Sequence, residues 1–293
     1  MMSAGKLSEC VMKDKQQWTT VIKPKNGWFD IELAELLRYR DLIFLFVKRN
    51  FTAQYRQTLL GPAWAVIKPL LNTVVFTVIF GIVAGLPTAG VPAFLFYMAG
   101  NIAWQYFSNC LTAVSDTFIS NSYILKKVYF PRLVMPISNV LSHLITFAIQ
   151  FVLFIVILAV YAVVGGYTLS LNWTVVLLPL CLLQMALLSL GCGVIVSSLT
   201  TRYRDLRMLV GFGVQLWMYA TPVVYSSEII PKKLLWLFNL NPMTPSIELF
   251  RTAFFGGEAA LGYWGVGWIT TAVLLFIGVI LFSRVEKTFA DTV

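Results

Sequence analysis

Ionisable side chains are scarce and unevenly placed. Of 293 residues, 12% are charged and 58% hydrophobic, with a mean hydropathy of +0.78. An ordinary soluble domain carries about 25% charge. Residues 69–115 and 133–201 contain no Asp, Glu, Lys or Arg. That deficit excludes a soluble globular protein. Histidine is nearly absent: His143 stands alone, so zinc sites and His-based triads lack material and no metal site is expected. The four cysteines (Cys10, Cys110, Cys181, Cys192) form no CxxC pair, and three lie in apolar runs where they read as packing residues. There is no GxxxxGK[ST], HExxH or GxSxG motif, and no acidic pair inside an apolar run. Carriers coupled to ion gradients place ionisable groups within the bilayer. Here only His143 approaches that position, so a transport function would draw its energy from another subunit. The first 30 residues are polar and basic without an apolar core, and no cleavable secretory signal is expected.

What is abundant is apolar sequence in lengths that fit a membrane. About twenty apolar residues cross a hydrocarbon core of roughly 30 Å. Six stretches qualify: about 63–85, 93–113, two within 133–198 divided at Gly165–Asn172, 208–225 and 261–282. Leu86–Pro92 is a tight uncharged turn, and Gly81-xxx-Gly85 reads as close helix packing. Residues 232–240 and 246–255 are too short to cross and read as two helices dipping into the outer leaflet, parted by Asn241–Pro245. Residues 28–51 alternate apolar and charged positions at helical spacing, as a helix lying in the interface does. Residues 1–28 form a basic tail. With both termini inside, all but three of the 22 Lys and Arg fall in inside segments; the three are Lys232, Lys233 and Arg251, balanced by Glu228, Glu248 and Glu258. The positive-inside rule is strongly obeyed.

Three groups of residues invite a functional reading. Ser120–Arg132 is a compact basic and aromatic island between the two uncharged regions, either a knob for a partner or a loop held inside by its charge. In the second span Tyr97, Asn101, Trp104 and Ser108 recur on one helix face, with Gln105 beside them; Gln215 and Tyr219 share a face of the fifth. Sugar rings pack on aromatics and bond to amides, so these stripes are channel candidates. Interfacial belts and interhelical bonds are the alternative. In the outer segment Glu248 and Arg251 sit at i, i+3, spaced to pair, as an outer gate or as a bridge that fixes a hairpin.

Four motifs carry a family resemblance. Arg49…Tyr55-Arg56…Leu59-Leu60-Gly61-Pro62-Ala63-Trp64…Pro69-Leu70 resembles the approach to the first span of ABC-2-type permeases. Leu125-Lys-Lys-Val-Tyr-Phe-Pro-Arg132…Pro136 resembles their loop between spans two and three, Arg202-Tyr-Arg-Asp-Leu206 the loop before span five, and Asn241–Arg251 the outer re-entrant segment. The match covers about residues 30–285 and is most similar to permeases that export O-antigen, capsule or teichoic-acid chains. It implies an all-α integral membrane protein in three parts. Residues 1–28 are the tail, 29–60 the interfacial helix and cytoplasmic elbow, and 61–293 a six-span domain with a coupling loop at 116–135 and re-entrant helices at 226–258. It further implies a homodimer in the bacterial cytoplasmic membrane, moving a lipid-linked polysaccharide. Two separate nucleotide-binding subunits would drive it and hold the ATP and Mg, this chain binding no cofactor and catalysing nothing itself. Lys126, Lys127, Tyr129, Phe130, Pro131 and Arg132 would couple to the ATPase, with Arg49, Tyr55 and Arg56 beside them. Asn241, Pro242, Pro245, Glu248 and Arg251 would form the outer gate. An exporter of a drug or smaller lipid, a membrane-embedded glycosyl- or lipid-transferring enzyme, and a membrane protein with no transport role remain the rivals.

Overall fold

Where water is excluded, a backbone must satisfy its own hydrogen bonds, and a helix does so locally. The computed structural model describes residues 33–292 apart from 57, 129, 168, 169, 171, 201, 202, 204, 232 and 258–260. Of residues 33–35, 126 and 283–292 it describes the backbone alone. Among the described residues there is helix and turn but no strand. The predicted tail at 1–28 lies outside them, as do Tyr129, Arg202, Lys232 and Glu258.

The helices are α1 (Leu33–Arg38), α2 (Arg40–Tyr55), α3 (Trp64–Phe76), α4 (Ala93–Ser115), α5 (Thr117–Ser120), α6 (Ser122–Lys127), α7 (Val134–Val163), α8 (Leu178–Thr200), α9 (Leu206–Tyr219), α10 (Leu235–Leu240), α11 (Met243–Phe255) and α12 (Leu261–Thr292). The end holding α2, α5 and α6 is called basal here and the opposite end apical. Four stretches are long and apolar enough to cross a membrane: Gly61–Val83, Val134–Val163, Trp173–Thr200 and Leu261–Phe282. The chain is thus a multi-pass, all-helical membrane protein. The helix α4 has the length of a span at 23 residues, but its Asn101, Gln105, Ser108 and Asn109 make it more polar than those four.

Several expected boundaries shift, each for a local reason. The predicted interfacial helix breaks at Tyr39 into α1 and α2. The approach to α3 turns at Gly61, whose φ of +52° suits glycine, followed by Pro62 at the first helical positions. The expected Gly81/Gly85 packing pair divides. A Cβ on Gly81 would sit 3.3 Å from Ala93 and Tyr97 of α4, whereas Gly85 meets nothing and ends the π-helical turn of Thr77–Val83 at φ +61°. The fifth span, expected over 208–225, is only a 14-residue helix, roughly 21 Å long at 1.5 Å per residue. It stops because Pro222 cannot donate to a helical bond and pushes Thr221 out of the helical region. The outer pair differs too: α10 and α11 are parted by Asn241 and Pro242 alone, Pro245 lies in the first turn of α11, and α11 is buried among α4, α8 and α12. It packs against the bundle along its length. The last helix runs on from the predicted 261–282 to Thr292.

Helix α4 is the axis. Leu95, Tyr97, Met98, Ala99, Ile102 and Phe107 are fully enclosed by α3, α7, α8, α9 and α11. Close approach of α8 to both neighbours depends on two glycines on different faces. A Cβ on Gly191 would lie 2.8 Å from the Leu275 nitrogen of α12, and one on Gly193 would lie 2.6 Å from the Val114 side chain of α4. From α12, a Cβ on Gly278 would lie 2.7 Å from the Gly191 carbonyl oxygen. Lipid tails are as apolar as leucine, so helix association in a membrane relies on such close packing. Gly191→Val is expected to cost about 1–3 kcal/mol or more by overpacking against backbone. Thermal unfolding of the detergent-purified protein checks it, with Gly211→Val, at a position that meets nothing within 4 Å, as the neutral comparison.

Candidate functional site

The basal island folds as α5 and α6, and the structure divides its residues between an inward and an outward side. Phe130, expected to dock into a partner, is 4% exposed and packs its ring 5.7 Å from Phe46 of α2. It anchors the loop to this chain instead, because Ile43, Phe46 and Val47 form the buried face of α2 and leave an apolar slot. Tyr123, Lys127 and Val128 are the exposed tip, with the Lys127 ammonium 3.9 Å above the Tyr123 ring and bonded to its hydroxyl. Tyr123 and Val128 were not among the expected coupling residues; Tyr123 lies in the first turn of α6 and Val128 directly follows its last residue. Pro131 and Arg132 are half-buried, Tyr129 lies outside the described residues, and so does the Lys126 side chain.

An asparagine network ties this tip to the rest of the base. Arg49 of α2 donates to Asn121 at 3.0 Å and lies 4.7 Å from the Phe46 ring. Burial lowers its pKa from the ordinary arginine value. Asn50 donates to Asn139 of α7 at 2.8 Å, and Asn139 in turn donates to the Ala113 carbonyl and to Thr117, each at 3.1 Å. Arg207 at the start of α9 holds Asp116 at 2.8 Å. Tyr55 stacks edge-on to Phe51 and its hydroxyl is 3.4 Å from Thr146, while Arg56 is exposed. Arg49 thus reaches the island at Asn121, while Asn50 and Asn139 tie α2 to α7 and to the end of α4 and start of α5.

The second-span stripe is brought together and closed off. Tyr97, Asn101 and Trp104 are each no more than 3% exposed. Asn101 donates to Thr73 and to the Pro69 carbonyl at 3.4 Å, Gln105 donates to Asn101 at 3.1 Å, and Gln150 reaches Gln105 at 3.5 Å. Trp104 packs against Trp217 of α9. These side chains join α3, α4, α7 and α9 within one chain and do not line an open path there. Each such polar contact in a membrane is worth about 0.6 kcal/mol. Ser108 and Gln105 are half-buried, and Gln215 and Tyr219 remain exposed on α9. Those last two are the stripe residues that stay accessible.

At the apical end Arg251 is the organising group. It is 7% exposed, and its guanidinium donates to the carbonyls of Pro222 and Val223, both at 2.6 Å, while lying 3.7 Å from the Phe96 ring. Gly100 makes the room, since a Cβ there would sit 2.5 Å from the guanidinium. The predicted Glu248–Arg251 ion pair does not form. The turn at Pro222 presents two carbonyls to Arg251, and they accept from its Nη1 and Nη2. Glu248 is left with a buried Oε1 that has no hydrogen-bond partner. Burial raises the Glu248 pKa, opposed by a Ser227 hydrogen bond and by the Arg251 charge. Burial likewise lowers that of Arg251 to about 9, opposed by Glu248 and Tyr97, so the guanidinium remains cationic at neutral pH. Asn241 links α9 to α11: it accepts from the Trp217 indole at 3.0 Å, donates to Thr221 at 2.8 Å, and accepts the Met243 amide at 3.1 Å. Pro242 and Pro245 are buried beside it. No group of three or more His, Cys, Asp or Glu that would hold a metal occurs among the described residues.

Comparison with known proteins gives the context for these features. The chain is 31% identical over 251 residues to an O-antigen export system permease protein RfbA of Klebsiella pneumoniae, covering 86% of this chain and 94% of that one. The RfbA permease of Myxococcus xanthus is 27% identical over 89% of this chain and 98% of its own length. The polysialic acid transport protein KpsM of Escherichia coli is 23% identical over 82% of this chain and 91% of its own. The pattern described as ABC-2 type transporter matches residues 41–255, which takes in everything from α2 through the apical α11 with its Arg251. The chain belongs to the ABC-2 type transporter family.

Proposed function

We propose that this chain is the permease of an exporter for a lipid-linked polysaccharide, an O-antigen, capsule or teichoic-acid-like polymer, in the bacterial cytoplasmic membrane. The observation that carries the proposal is the near full-length similarity to permeases named for O-antigen export in two organisms. In this reading α4 and α9 join the four apolar spans to make six, the basal end is cytoplasmic, and both termini lie there. Residues 61–293 form the transport domain, preceded by the interfacial helices of 29–60 and the tail of 1–28. ATP and Mg belong to two nucleotide-binding subunits, and this chain does no chemistry of its own. The exposed basic-aromatic tip of α6 supports docking to them: a short helix with a ring, an ammonium and an apolar side chain outward suits a partner's cleft.

The permease acts as a homodimer. Only 11% of the most apolar window of the first span is buried within the chain, and Val214 is the one buried residue of α9, so both helices have faces left for a second copy or lipid. The exposed Gln215 and Tyr219 give the path at that interface its polar and aromatic lining, with Gln105 and Ser108 behind them. ATP-driven closure of the nucleotide-binding subunits moves the α6 tips, and rigid-body motion of the helices follows.

Deleting the chain in its host is expected to leave completed polymer on its lipid carrier inside the cell, and the purified wild-type chain is expected to recover the nucleotide-binding subunit encoded beside it. Labelling of surface polymer and co-purification read the two outcomes. Normal surface polymer after deletion, or a chain that recovers no ATPase, would overturn the reading.

A further inference from the structure

Polar faces of α4 and α7 run side by side toward the basal end. On α4, Gln105, Asn109 and Thr112 lie at i, i+4 and i+7; on α7, Asn139, His143, Thr146 and Gln150 lie at i, i+4, i+7 and i+11. Hydrogen bonds tie the two helices at two levels. Gln150 donates to Gln105 at 3.5 Å, and Asn139 donates to the Ala113 carbonyl at 3.1 Å. Asn109 and His143, which fall between those ties in sequence, make no such bond. They line a half-open cavity of about 560 Å³, together with Thr112, Ser120, Asp116 and Arg207. That volume is well within the range of small-ligand sites, roughly 300–1,000 Å³. The groups within a ligand's reach are the ones that are not sealed. Asn109 is half-buried, and its amide bonds to no described residue. The His143 ring is half-buried as well, with Nδ1 sealed, which leaves Nε2 as the nitrogen on the open side. Thr112 and Ser120 are exposed; they donate to the Ser108 carbonyl and to Asp116, so their oxygens are left to accept. The charges in the wall already answer each other. Arg207 donates to Asp116 Oδ2 at 2.8 Å, and Asp116 Oδ1 is sealed.

We propose that this cavity is a basal saccharide subsite, where a neutral sugar of the polymer rests between α4 and α7 of each protomer before it enters the path between chains. It rests on the export reading and deepens it: in that reading the basal end is cytoplasmic, where completed polymer waits on its carrier. Asn109 and Thr112 lie one and two turns basal of Gln105, so the subsite continues the polar lining of that path. A sugar hydroxyl both donates and accepts. The Asn109 amide bonds it in either sense, His143 Nε2 in whichever sense its tautomer allows, and Thr112 and Ser120 accept. Several hydroxyls on one ring meet several of these groups together. An anion would find the Arg207 charge matched by Asp116, and a cation would find that carboxylate sealed on one oxygen and taken on the other. The neutral polyhydroxylated ring is the class that suits the wall.

The test uses the fact that His143 is the only histidine of the chain, which makes its ring a spectroscopic probe set in the cavity wall. The full chain is purified through a histidine-free tag with isotope-labelled histidine, joined to its unlabelled nucleotide-binding subunit, and reconstituted in liposomes for solid-state NMR. Methyl glycosides of glucose, galactose, mannose and N-acetylglucosamine are titrated, with phosphate and pyrophosphate in parallel. At least one glycoside is expected to shift the Nε2 signal saturably and by more than the Nδ1 signal. Asn109→Leu, which keeps the bulk and removes the amide, should raise the midpoint at least tenfold, and Thr112→Val a fewfold. Monodisperse recovery and ATP hydrolysis show that each variant complex has assembled. If Asn109→Leu does not assemble, Asn109→Ala and Thr112→Val carry the test. An assembled complex in which no glycoside moves Nε2, in which the variants bind as well as wild type, or in which only the anions move it overturns the subsite and leaves the export reading standing. A chain that recovers no ATPase removes the export reading itself.

Discussion

Replacing Arg251 with methionine is expected to abolish export and to destabilise the protein by about 3–5 kcal/mol. The side chain is enclosed, so its loss is not compensated by water. The Pro222 and Val223 carbonyls each lose a charge-assisted donor, Phe96 loses its cation, and Glu248 loses the positive charge that favours its ionised form. A stranded buried polar group costs about 1–3 kcal/mol, and breaking a buried charged arrangement about 3–5. Arg251→Lys should fall between, because one ammonium on a flexible stem does not reproduce the planar fork that reaches two carbonyls. Thermal unfolding of the purified chain and surface polymer display are the readouts. A methionine variant as stable as wild type would show that the 220–225 turn is held some other way.

The second large effect is expected at the basal tip. Tyr123→Ala combined with Lys127→Ala removes the exposed ring and its ammonium without touching the Phe46–Phe130 contact. Interface anchors of this kind cost about 2 kcal/mol or more each when truncated, so ATPase recovery should drop at least tenfold while the permease keeps its unfolding temperature. Phe130→Ala should do the reverse. It opens a hole beneath the loop, costs about 3–5 kcal/mol of stability, and leaves the outward surface in place. Pull-down with the nucleotide-binding subunit and thermal unfolding, measured side by side, separate the two. Equal loss of partner from both variants would mean that the loop acts only as a folded whole.

The contrast between Phe130 and Tyr123 shows where sequence reasoning reaches and where it stops. Charge distribution and apolar length located the island, the long helices and their order, because topology writes them into composition. Facing direction is another matter. Helical spacing puts Tyr97, Asn101 and Trp104 on one face, but the same spacing serves a face that meets water and a face that meets Thr73 and Trp217. Polar residues of a membrane helix are satisfied by whichever neighbour arrives, and that neighbour is distant in sequence. Arg251 teaches the same lesson. Glu248 was the local partner at i, i+3, yet the guanidinium bonds the Pro222 and Val223 carbonyls beyond the end of α9 instead. Proline at 222 also cut α9 short, which composition alone could not weigh against the apolar run that continues past it.

The ring contact between Phe46 and Phe130 has a mechanical consequence. With Arg49 bonded to Asn121 and Asn50 to Asn139, the surface helix α2, the α6 tip and the foot of α7 are fastened at three points. A stroke delivered to the tip therefore drags α2 with it. On the proposed interfacial placement of α2, its outward side, with Phe44 and Leu45 exposed, moves against the headgroups and acyl chains around it. Lateral packing of the surrounding lipid is then a load in series with the motor, and a stiffer leaflet slows each cycle even when nucleotide and cargo are plentiful.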